Sequence, residues 1–241
     1  ACERAYAPWP DMESLLRAEG LPLYSLETFT PLDQFDVLGF SLQHELCCTN
    51  VLTMLDLGRV GLIAEERPIG APLVIAGGPC VQNPEPMARF FDAIVIGDGE
   101  ESLPAVCDAW LELKRSGLPR RAALARLAAE VPHVYVPSCY RPRAGAAGRG
   151  LAPAPLSEEF AAPIQPAVVA DLDAMPLPVR PLVPNIECVQ DRISIEIMRG
   201  CPWRCRFCQA TTTKRPLRIR KVQTIVEAAW ECYRNTGYNE R

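Results

Sequence analysis

Three cysteines fall within one short stretch, Cys201-Pro-Trp-Arg-Cys205-Arg-Phe-Cys208, and this spacing suits metal ligation by thiolates on a loop. Structural zinc sites and closed electron-transfer clusters take four protein ligands. Three cysteines instead leave one iron of a cubane cluster open, which is an arrangement for binding and activating something at the metal. Phe207, directly before the last cysteine, is expected to help cover the cluster and keep water away. Two plainer readings stay open: a zinc site, or an electron-transfer cluster, completed by Cys188, Cys232 or His133. The remaining cysteines, Cys2, Cys47, Cys48, Cys80, Cys107 and Cys139, have no ligand spacing and read as packing residues. Eleven scattered cysteines, odd in number, fit reduced thiols in a cytoplasmic protein better than a disulfide framework.

The elements that must position this loop are legible on both sides. Arg192-Ile-Ser-Ile-Glu-Ile-Met198 alternates and reads as a strand entering a new domain; Val222 to Tyr233 places Val222, Ile225, Val226, Ala229 and Trp230 at helical spacing, with Asn235-Thr-Gly237 as its stop. Strand, ligand loop and helix make one βα unit. Upstream, residues 141 to 190 are rich in Pro, Ala and Gly and read as an extended linker, because proline at that density disrupts helices and central strands. Before the linker, three short apolar runs read as buried strands: Asp36 to Leu42, Pro72 to Gly78 and Phe91 to Gly97. Helical stretches at Asp11 to Glu19, Asn50 to Leu57 (Asn50 as N-cap) and Ser102 to Arg115 alternate with them. The last places Leu103, Val106, Cys107, Trp110, Leu111 and Leu113 largely on one face. This alternation predicts an α/β fold with a parallel, doubly wound, Rossmann-like sheet over residues 1–140, a linker over 141–190, and a second domain from 191 to 241.

With its neighbours, the triplet resembles the radical S-adenosylmethionine superfamily, whose signature Cys-x3-Cys-x-aromatic-Cys is matched by Cys201, Cys205, Phe207 and Cys208. Glu196 to Ala210 and Arg215-Pro-Leu-Arg218 look like the subgroup that carries an N-terminal cobalamin-binding-type domain, as do Ala76 to Pro79, Asn83 to Pro86, Gly97 to Glu101 and Asp171 to Pro178. The resemblance implies an enzyme in which Cys201, Cys205 and Cys208 hold a 4Fe-4S cluster. S-adenosylmethionine then binds the open iron. A flavodoxin- or ferredoxin-type donor supplies one electron, and reductive cleavage yields a 5′-deoxyadenosyl radical that abstracts hydrogen from a substrate the sequence does not name. It further implies that Phe207 lies near the cluster or the adenine, that Gly77, Gly78, Gly97 and Gly99 face a corrin or its vestige, and that residues 191–241 open a TIM-type barrel. A full barrel of that kind takes roughly 200 residues or more. Both chain ends look cut, with the first strand of the N-terminal sheet expected upstream of Ala1 and the isolated chain expected to be inactive.

Other features narrow the reading. Gly97-Asp-Gly99 follows an apolar strand and precedes a helix, but Ser102 occupies the place of a third glycine, which favours a tight turn over dinucleotide binding. Cobalamin is left open: no Asp-x-His-x-x-Gly loop occurs, and His44 and His133 are the two histidines. Lys214 to Lys221 is densely basic, and RNA is a minor alternative partner. A net charge of -4 and the absence of nearby stacking aromatics favour a solvated loop or a substrate-phosphate contact there. No apolar run approaches the roughly 20 residues of a membrane span.

Overall fold

A computed structural model describes residues 1–145, 150–186, 189 and 192–238. The chain divides into two compact units, Ala1–Ala167 and Val168–Arg241.

The first unit is built on a four-stranded sheet. Strands β1 (Val37–Ser41), β2 (Leu73–Gly77) and β3 (Ala93–Val95) are parallel, and β4 (Val134–Tyr135) lies antiparallel beside β3. All three expected strands are present. In β2 and β3 the near-continuous apolar sequence follows from burial on both faces: Leu73, Ile75, Ala93 and Val95 join one apolar cluster, while Val74, Ala76 and Ile94 join another; β1, at the sheet edge, buries Leu38 and exposes Gly39 and Ser41. Helices α1 (Pro10–Ala18) and α2 (Cys48–Leu57) cover the second cluster through Leu16, Val51 and Leu55; α3 (Gly99–Arg115) and α4 (Arg120–Glu130) cover the first through Val106, Trp110, Ala123 and Leu127.

Five details depart from the sequence expectation. The strand order runs straight from β1 to β4, so the described sheet has no reversal of winding at which a doubly wound sheet would open a crevice. The last strand is antiparallel because two helices, not one, link it to β3: a single helix returns the chain to begin a parallel strand, and a second reverses it again. Helix α2 starts at Cys48, leaving Asn50 inside its first turn, and α3 starts at Gly99 with Ser102 Oγ donating to the Asp98 carbonyl at 2.6 Å. On α3 the buried stripe narrows to Val106, Trp110 and Leu113, with Leu103 exposed.

The Pro-rich segment also folds further than an extended linker. Strands β5 (Tyr140–Ala144) and β6 (Leu151–Pro155) form an antiparallel hairpin. Backbone bonds Gly145 N–H to Gly150 O and Leu156 N–H to Cys139 O fix which residues pair through hydrogen bonds. In that register Pro142, Pro153 and Pro155 fall at the non-hydrogen-bonded positions, where a missing N–H costs nothing. The chain then returns to the sheet at Ala167, which bridges Gly97, so the compact unit runs past residue 140.

A charged cluster is buried inside this unit. The Asp92 carboxylate, fully buried, accepts from Arg67 Nη1, Arg120 Nη2 and the Val74 N–H, each at 2.8 Å. Arg67 also donates to the carbonyls of Gly61, Leu62 and Phe90, and Arg120 to those of Pro68, Ala71 and Pro72. The Arg120 guanidinium lies 5.1 Å above the Trp110 ring. Burial pulls the Arg67 guanidinium below its ordinary range, against the opposing pull of Asp92.

In the second unit, β7 (Met198–Arg199) and β8 (Arg218–Ile219) pair antiparallel, followed by α6 (Val222–Thr236), which ends at Gly237 in the left-handed conformation. The expected strand over 192–198 shrinks to the Met198–Arg199 pair. β8 is its partner and offers two residues, so Ile193 and Ile195 lie outside the ladder. Helix α6 and its glycine stop match the sequence reading.

Candidate metal centre

The cysteine loop is strung between β7 and a short helix, α5 (Ala210–Thr213). Its entry is Gly200, at φ +104°. A Cβ added there would meet the Lys214 carbonyl oxygen at 2.5 Å and the Leu217 Cα at 2.9 Å. The outgoing chain therefore passes directly over the incoming one, and glycine is required by both space and conformation. The Cys208 N–H donates to the Cys205 carbonyl at 3.2 Å, and the Cys208 carbonyl accepts from Thr211 Oγ1 at 2.8 Å. These bonds tie the second and third cysteines into one turn leading into α5.

Below the loop, Glu196 accepts from Arg199 on β7, at 3.0 Å from each of two guanidinium nitrogens, and from Arg220 at 3.2 Å. Hydrogen bonding to Arg199, with Arg220 assisting, holds the Glu196 carboxyl below its ordinary value of 4.5. Arg220 is buried and also donates to the carbonyls of Leu172 and Met175, and Arg218 donates to the Val169 carbonyl at 2.7 Å. Two arginines of the basic run 214–221 are thus spent on internal ties, which explains a charged run that does not form one open face.

All three candidate thiols are free; Cys201 and Cys208 are half-buried and Cys205 is exposed. As a donor set, three soft thiols on one accessible loop suit an iron-sulfur cluster. Among the described residues no three His, Cys, Asp or Glu side chains converge to grip a metal, so the loop presents donors rather than a finished cage. Phe207, expected as a cover, is 92% exposed, and Trp203 is 71% exposed. Of the alternative fourth ligands, Cys188 lies outside the described residues. Cys232 is buried on the inner face of α6 with its Sγ 3.9 Å from the Pro178 carbonyl, and His133 belongs to the first unit, where its Nδ1 lies 2.6 Å from the Gln165 carbonyl. Burial raises the thiols of Cys80, Cys107 and Cys139, the last to about 11, which suits packing residues. Cys2 is exposed.

The glycines expected to face a corrin have local structural reasons. Gly78, at φ +102°, would place a Cβ 2.8 Å from the Leu42 carbonyl oxygen, and Gly97, at φ +101°, would place one 2.3 Å from that of Ala167. The protein's own backbone fills both approaches. Gly77 ends β2 and Gly99 opens α3, each with open space beside it. His44 is exposed on the turn after β1, 3.7 Å from Cys47 Sγ.

Gly200→Ala is expected to cost about 1–3 kcal/mol and to lower iron uptake by the loop, because the added methyl must push segment 214–217 away. Denaturation midpoints and iron content after anaerobic reconstitution check this; a variant unchanged in both would show that the crossing is not needed.

Residues 1–137, more than half of the chain, match the family described as "Radical SAM proteins, N-terminal". An uncharacterized protein of Methanocaldococcus jannaschii is 28% identical over 213 residues, covering 87% of this chain and 38% of that protein. The chain thus spans well under half the length of this relative. No solved structure matches it.

Proposed function

This chain belongs to the radical SAM proteins through the N-terminal family that residues 1–137 match, and from that premise we propose that Cys201, Cys205 and Cys208 hold a 4Fe-4S cluster for radical chemistry on S-adenosylmethionine. Held by Cys201, Cys205 and Cys208, such a cluster would supply the one-electron reductive cleavage of S-adenosylmethionine to methionine and a 5′-deoxyadenosyl radical, the electron coming from an external flavodoxin- or ferredoxin-type donor.

The observation that carries this reading is that the triplet lies outside the matched stretch. Its Cys-x3-Cys-x-aromatic-Cys spacing at 201–208 is a second, separate sign of the same superfamily. The chain's own contribution is to place three thiolate ligands on one loop, to hold the loop's two ends together at Gly200, and to fix the Cys205–Cys208 turn through Thr211. Phe207 and Trp203 offer exposed aromatic surface beside the thiols, suited to excluding water once a ligand covers them.

We read the first unit as a Rossmann-like, cobalamin-binding-type domain and the second as the opening of a TIM-type barrel. Cobalamin itself is not part of the proposal. His44 lies on an exposed turn without the Asp-x-His-x-x-Gly context, and Gly78 and Gly97 are explained by backbone packing. A cytoplasmic setting, where thiols stay reduced, suits the free cysteines, and no helix among the described residues is long and apolar enough to cross a membrane.

The test is made on the whole protein, reconstituted anaerobically with iron and sulfide and reduced with dithionite in the presence of S-adenosylmethionine. Release of 5′-deoxyadenosine that requires reductant and disappears in Cys205→Ala is the expected result. A protein that takes up iron and releases none would be an electron-transfer module instead.

A further inference from the structure

The first unit carries a cavity of about 630 Å³, within the size range of sites for small organic molecules. Three cations line it from three different elements: Arg89 on the turn before β3, Arg121 in the first turn of α4, and Arg141 on β5. All three are exposed, and among the described residues none is paired with a carboxylate. Phe91, Tyr135 and Tyr140 add aromatic surface, with the two tyrosine rings 4.8 Å apart.

Behind this wall stand Arg67, Asp92 and Arg120, where one carboxylate faces two guanidiniums and leaves a buried excess of positive charge. Their donors are largely committed to carbonyls and to Asp92, so they contribute field rather than contact. Two acids also line the cavity, Glu65 and Glu85, and Glu85 is held by the Tyr135 hydroxyl at 2.5 Å. Five arginines against three acids invert, locally, the sign of a chain whose net charge is -4. A field of this sign concentrates anions.

We propose that this cavity binds a small organic phosphate, with the dianionic head on Arg89, Arg121 and Arg141 and a planar apolar body against Tyr135 and Tyr140. A phosphate monoester presents three oxygens in different directions, which suits guanidiniums arriving from three elements; a planar carboxylate is satisfied by a single fork.

Calorimetric titration of the full chain with phenyl phosphate, inorganic phosphate and benzoate tests the assignment without iron or S-adenosylmethionine, so its outcome is independent of the cluster. Phenyl phosphate is expected to bind saturably, about tenfold or more tighter than either fragment, and to weaken about tenfold in Arg121→Gln/Arg141→Gln. The same titration with Arg126→Gln, on the same helix but paired to Glu130 and outside the cavity, should be unchanged. Arg89→Gln serves as a second variant if the double one loses its melting transition. No saturable binding, equal binding of inorganic phosphate or benzoate, or an equal loss in Arg126→Gln would overturn the proposal.

Discussion

Anaerobic reconstitution of the chain with ferrous iron and sulfide is expected to give a brown protein carrying about four irons, and the Cys201→Ala/Cys205→Ala/Cys208→Ala variant is expected to carry almost none. The size of the effect follows from the donor set. Thiolates are the ligands that hold cubane iron, and among the described residues no other three His, Cys, Asp or Glu side chains converge to take their place. Cys2→Ser, an exposed thiol at the far end of the sequence, should leave iron content unchanged. Circular dichroism separates loss of ligands from loss of fold, since all three cysteines lie on a partly exposed loop and contribute little to either apolar cluster. Colourless protein with stoichiometric zinc would refute the iron assignment, and undiminished iron in the triple variant would move the site elsewhere. This measurement concerns the ligands alone; deoxyadenosine release concerns the chemistry, and either can fail without the other.

The second large effect belongs to the fold. Asp92→Ala is expected to destabilise the first unit by about 3–5 kcal/mol, a large share of the roughly 5–15 kcal/mol that domains possess. Removing the carboxylate leaves two guanidiniums facing each other in a buried site and orphans the Val74 N–H on the central strand. An isolated buried ion pair is often replaceable by apolar residues at little cost. Here that exchange is expected to fail, because Arg67 and Arg120 together also satisfy six backbone carbonyls that apolar side chains would leave bare. Urea denaturation of Asp92→Ala and of Arg67→Met/Asp92→Leu/Arg120→Met checks both statements. A single variant within about 1 kcal/mol of the parent would show that water or a rearranged side chain compensates the charge.

The sequence by itself determined the local identities. Cysteine spacing at 201–208 named the candidate donors, because ligand type and separation are properties of the chain alone. The apolar runs at 36–42, 72–78 and 91–97 named the parallel strands, because strands such as β2 and β3, buried on both faces, must be apolar throughout. Helix α6 and its Gly237 stop were legible for the same local reason. Tertiary structure decided what depends on partners far along the chain. Pro142, Pro153 and Pro155 read as a linker until pairing placed each at a position needing no N–H. Gly97 suggested a ligand until Ala167, seventy residues on, was seen to fill the space. Asp92 sat unremarked in an apolar run, and its role rests on Arg67 and Arg120, whose separation along the chain carries no pattern. The cysteine triplet shows both halves: the donors proposed for the cluster lie within eight consecutive residues, whereas the crossing at Gly200 that holds their loop together depends on backbone arriving from residues 214–217.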